Sequence, residues 1–142
     1  MASDPSAGPP VMVTPFRGQS MLPSLLPGDR IVWRRLDGTS FPPVGSVVAY
    51  SSGPRFISHR VIRVDRDRSL VWTRPDAAFQ PDPPVPLGEI HWLAIEVQRK
   101  GRSFPPTPPG EWTRLITCAT LTPVRLARSI AGKLLRRIRH YW

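Results

Sequence analysis

The stretch FISHRVIRVD, Phe56 to Asp65, decides the fold. It is rich in β-branched residues and partly alternates apolar with polar positions, the pattern of a strand half buried in a sheet. Asp65 to Arg68 is a charged turn, and Leu70 to Thr73 reads as the returning arm of a hairpin. Upstream, Val11 to Phe16, Arg30 to Arg35 (RIVWRR) and Ser46 to Ser51 (SVVAYS) read as strands, with Asp37-Gly38 marking a turn between the last two. Downstream, a loop with five prolines from Pro75 to Pro86 leads to a last strand, Ile90 to Val97. Short strands at roughly ten-residue spacing predict a mainly β body, a sandwich or a partly open barrel.

The remaining composition agrees with one β domain and an appendage. The chain has 142 residues and 19 prolines, and proline excludes long helices over much of its length. Residues 1–10, rich in Ala, Ser, Pro and Gly, read as a disordered N-terminus, residues 11–102 as the β domain, and the proline-rich segment 103–110 as a stiff linker. Residues 111–142 read as a basic, mainly helical tail. There, Thr122 and Pro123 are the signals of a helix start. Ala127, Ile130, Ala131, Leu134, Ile138 and Tyr141 then recur at three- and four-residue steps along one face. Six of the ten excess positive charges fall in this tail, which points to an anionic surface as its partner.

One cysteine, Cys118, excludes an internal disulfide and a multi-cysteine zinc site, and no cofactor or metal is expected. The N-terminus lacks the basic and apolar regions of a secretory signal. No run of about 18 apolar residues is present, so no transmembrane segment is expected.

The candidate chemistry begins at RGQSMLPSLLPGDRIVW, Arg17 to Trp33. A loop serine is ordinary, but the surroundings of Ser20 suit an exposed elbow. Gly18 permits a close or strained backbone, Met21 can anchor the loop in apolar surroundings, and Pro23 fixes the next turn. A nucleophilic serine needs a base. The only lysines, Lys100 and Lys133, stand at or beyond the end of the β body in charged contexts, whereas a lysine base must be desolvated. That leaves histidine, whose ordinary pKa of about 6.5 suits general-base work. His59 is held on a strand, while His91 and His140 stand near a strand end and in the basic tail. The loop TRPDAAFQPDPPV offers two carboxylates, Asp76 and Asp82, either of which would orient an imidazole.

Three segments, in order, resemble the conserved boxes of type I signal peptidases. RGQSMLPSLLPGD resembles the serine box, PPVGSVVAYSSGPRFISHRVIRV the segment carrying the base, and TRPDAAFQPDPPVPLGEIHWLAIEVQRKGR the closing segment with its paired aspartates. The resemblance covers about residues 11 to 102, and H-R-V-I marks the Ser/His branch. It implies the β body shared with LexA-type self-cleaving repressors, with Ser20 as nucleophile, His59 as general base and Asp82 or Asp76 as the orienting acid. It also implies a precursor polypeptide as substrate, cleaved after small residues in signal- or leader-peptide processing or in dedicated maturation.

The sequence departs from the family at several points. Gly18 stands where members often carry a serine that donates to the oxyanion, so the hole would rest on backbone N–H groups, that of Ser20 first. Gly45-Ser46-Val47-Val48 replaces G-D-[IV]-V, and Pro75-Asp76 replaces the closing G-D, which favours Asp82 as the orienting acid. The family's N-terminal membrane anchor is missing. The expected location is therefore cytoplasmic, with peripheral contact at the inner membrane surface through the basic tail as an added expectation, worth roughly 1 kcal/mol per basic residue near anionic lipid. The alternative is a peptidase scaffold without catalysis, using its tail on membrane, nucleic acid or an acidic partner. No interleaved aromatic and basic pattern favours nucleic acid.

Overall fold

Val47, Val48, Ala49 and Tyr50 are all buried, so the stretch of strand that carries them has no solvent face. An antiparallel strand covered on both sides requires apolar layers above and below it, and the sheet is arranged accordingly. In the computed structural model, which describes residues 8–121 and 123, eight antiparallel strands form one sheet. They are β1 (Val11–Pro15), β2 (Arg30–Arg35), β3 (Val47–Ser52), β4 (Arg55–Asp65), β5 (Leu70–Arg74), β6 (Val85–Pro86), β7 (Ile90–Arg99) and β8 (Arg102–Phe104). Their order is β1-β2-β7-β3-β4-β5-β6, with β8 pairing β7.

Alternation along β3, and along β7 with two register shifts, divides the interior in two. Val47, Ala49, Ala94 and Val97 join Phe16, Met21, Leu25, Ile31 and Trp33 in one cluster. Val48, Tyr50, Ile90 and Leu93 join Val61, Val71, Val85 and Leu87 in the other. The first lies under the loop that carries Ser20, and the second lies under the β3–β4–β5 hairpins.

The mainly β body with a C-terminal helix agrees with the sequence reading, while its boundaries differ in three places. β6 lies inside the proline loop, because the backbone of Val71 pairs with that of Val85. β8 extends the ladder to Phe104, past the expected limit at residue 102, because Val97 and Gln98 pair with Phe104 and Ser103. The segment read as a linker is docked on the body, since the carbonyls of Pro106 and Thr107 accept hydrogen bonds from Arg60 at 3.0 and 3.4 Å.

A helix, α1, covers 111–121. It opens eleven residues before the expected start at Thr122, with the Arg114 N–H donating to Gly110 O and the acidic Glu111 in its first turn. Cys118 is its buried anchor, 3.5 Å from the carbonyl of Asp76. The amphipathic set from Ala127 to Tyr141 lies outside the described residues, as does most of the N-terminal segment read as disordered. Of that segment, Pro10 is held by the N–H of Arg35 at 2.9 Å. Among the described residues, no helix is long and apolar enough to cross a membrane.

Candidate active site

The Ser20 loop runs from Phe16 to Asp29 and is closed at its neck. The Phe16 N–H donates to Asp29 O at 2.7 Å and the Gly28 N–H to Phe16 O at 3.0 Å. The Asp29 carboxylate accepts from the Leu26 N–H and takes both arms of Arg99, at 2.7 and 2.6 Å. Burial raises the carboxyl pKa of Asp29, but the Arg99 and Leu26 donors and the guanidinium charge outweigh it and hold it below its ordinary value. Met21 and Leu25 are fully buried in the first cluster and anchor the loop from below. Ser20, between the exposed Gln19 and the buried Met21, stays partly exposed.

Gly18 adopts φ 91°, and a Cβ there would meet nothing within 4 Å. Backbone conformation rather than lack of space therefore favours glycine at this position.

His59 lies on the half of β4 whose only paired neighbour is β3, because pairing with β5 begins at Arg60. Its Nδ1 is 2.6 Å from Asp82 Oδ2. The same carboxylate oxygen accepts from Thr73 Oγ1 at 2.7 Å and from the Tyr50 hydroxyl at 3.3 Å. Burial, the largest single influence on Asp82, raises its pKa. The hydrogen bonds from His59 and Thr73, the His59 charge and the Tyr50 hydroxyl together reverse that and hold the carboxyl below its ordinary value. An ionised carboxylate only accepts, so Nδ1 is the donor, and Nε2 of a neutral ring carries the lone pair. Tyr50 serves as a steady donor because burial, with the nearby Asp82 charge, pushes its phenol up to about 12.

Asp82 reaches this place because its N–H donates to Thr73 O at 2.8 Å, folding the proline loop back along β5. Asp76, the other carboxylate offered by the sequence, does not face the imidazole. It forms a buried two-armed pair with Arg60 at 2.8 and 2.7 Å and accepts from Ser24 Oγ. Its neighbour Ala77 donates its N–H to Ser20 O at 3.0 Å. Asp76 thus belongs to the scaffold of the serine loop. Sequence reasoning overlooked Arg60, Tyr50 and Thr73. The available signal was an arginine and a tyrosine within runs destined for burial, where each needs a hydrogen-bond partner.

Ser20 and His59 line one cleft of about 650 Å³ at the free half of β4, together with Thr14, Phe16, Trp33 and Ile57. Among the described residues, no hydrogen bond joins the hydroxyl to the imidazole, and no group of three or more His, Cys, Asp or Glu side chains gathers as a metal site. The arrangement can abstract a proton at Nε2, stabilise the resulting imidazolium through Asp82, and admit an extended ligand from solvent. No family model, curated protein or solved structure matches the chain.

Proposed function

We propose that this chain is a serine endopeptidase of signal peptidase type that cleaves a precursor polypeptide. The observation that carries the reading is the 2.6 Å contact of His59 with Asp82 at a cleft that Ser20 also lines. The order of the three sequence boxes supports it. Ser20 Oγ attacks the scissile carbonyl while Nε2 of His59 takes its proton. The tetrahedral oxyanion rests on backbone N–H groups, that of Ser20 foremost. Collapse expels the leaving amine, which receives the proton from His59, and water then releases the acyl group from Ser20 by the same route. Asp82 fixes the tautomer and stabilises the imidazolium throughout. Bound substrate completes the Ser–His hydrogen bond, as catalytic contacts often tighten only in the Michaelis complex. The family resemblance supplies the preference for small residues before the cut.

A fluorophosphonate probe should label the protein at Ser20, as mapped by peptide mass analysis, and Ser20→Ala should abolish both labelling and cleavage of a precursor. Equal cleavage by parent and variant rules the proposal out.

A further inference from the structure

We infer that the cleft beside Ser20 recognises a polypeptide with an acidic residue within about four positions of the bond to be cut, read by Arg17 and Arg55. The inference rests on the cleft being the substrate site of the proposed peptidase. Both arginines line it, and among the described residues no Asp or Glu does. Both are exposed. The side-chain pairs with carboxylates among the described residues use other groups, namely the His59 imidazole, Arg60 and Arg99. The guanidinium–ring contacts likewise use Arg35, Arg63, Arg66 and Arg99. Two cations without an ion-pair or ring partner among the described residues therefore flank an opening whose apolar wall includes the buried Phe16 and Trp33 and the exposed Phe56. Low-dielectric walls lined by one sign of charge concentrate the field on an oppositely charged ligand.

The spacing sets the reach. Arg55, Ile57 and His59 alternate onto one face of β4. Arg55 therefore stands about 13 Å along the strand from His59, a distance spanned by about four residues of extended peptide. Arg17 stands three positions before Ser20 in the loop. A carboxylate within about four positions of the scissile bond thus has a guanidinium in reach.

The test uses the full chain carrying Ser20→Ala and two fluorescein-labelled degenerate peptide pools, identical except for Glu or Gln at fixed positions. Fluorescence anisotropy at low salt should show the Glu pool binding on the order of tenfold tighter, with the advantage shrinking as salt is raised. Adding Arg17→Gln and Arg55→Gln should equalise the pools. Equal binding by the pools, or none by either, overturns the inference. So does a Glu preference that survives the double substitution, because it would belong to the basic tail. Labelling of Ser20 in the parent chain separates the two proposals. Labelling with equal pools leaves the peptidase standing and removes the acidic preference, whereas Glu-selective binding without labelling keeps the recognition and removes the chemistry.

Discussion

His59 and Arg60 are neighbours on β4, and each holds an aspartate from the loop that follows β5, yet the two pairs serve different ends. The His59 and Asp82 side chains are 13 % and 21 % exposed, whereas those of Arg60 and Asp76 are 7 % and 3 % exposed. Adjacent strand positions point to opposite faces. One pair opens on the cleft at its His59 end, while Asp82 stands behind it. The other is sealed beneath the serine loop, where Arg60 also donates to the carbonyls of Gly45, Pro106 and Thr107. An imidazole–carboxylate pair beside a cleft can take up and release a proton during a reaction. A guanidinium–carboxylate pair, sealed and fully hydrogen-bonded, keeps its charges and instead ties the serine loop, β4 and the segment leading to α1 into one unit.

The sharpest way to break the comparison is to neutralise each aspartate in turn. Asp82→Asn presents an amide to Nδ1 and favours the tautomer that cannot accept the serine proton, so kcat should fall on the order of 10⁴-fold with the fold intact. Asp76→Asn should leave the imidazole untouched and lower kcat far less, while reducing thermal stability. Single-turnover cleavage and melting curves on both variants decide it. Equal losses of kcat would mean that the two pairs are not functionally distinct.

The second prediction concerns the sealed pair. Asp76→Leu leaves the Arg60 guanidinium buried without its carboxylate and should cost about 3–5 kcal/mol in urea unfolding. Adding Arg60→Leu removes that unpaired charge, so the double variant should be less destabilised than the sum of the two single ones. Recovery should be partial, because the carbonyls of Gly45 and Pro106 lose their donor. Strict additivity would show that the ion pair contributes no coupling.

The difference between the pairs was only partly legible in the sequence. Apolar and β-branched runs bounded by turn signals marked β1, β2, β3, β4, β5 and β7. The burial of Met21 beside a partly exposed Ser20 agrees with the reading of that loop as an elbow anchored by an apolar side chain. The choice between Asp76 and Asp82 depends on where the proline loop returns, which is set by the Asp82 N–H on Thr73 O, a contact that leaves no local signal. Arg60 looked like a charged strand residue because its partners come from segments 16 and 46 positions away. The opening of α1 was hidden for another reason. Thr113, Thr117 and Thr120 weaken its intrinsic helical preference, and burial of Cys118 against Asp76 supplies a tertiary anchor that propensity does not report.

The smallest expected effect tests the electrostatic side of the open pair. Burial raises the Asp82 carboxyl, but His59, Thr73 and Tyr50 together hold its folded-state pKa below the ordinary value. A depressed carboxyl contributes stability that is fully present above its unfolded pKa of about 3.9 and is lost as pH falls through the still lower folded value. The stability gap between the parent and Asp82→Asn should therefore close as the solution is acidified below about pH 4. Asp29 is also depressed, through Arg99 and Leu26, and weakens both proteins over the same range, so it cancels in the difference. Thermal melts of the two proteins across that interval measure the gap directly. A gap that persists unchanged far into acid would mean that Asp82 stabilises the fold through the shape of its contacts rather than through its charge, and would remove the electrostatic basis for its support of the imidazolium.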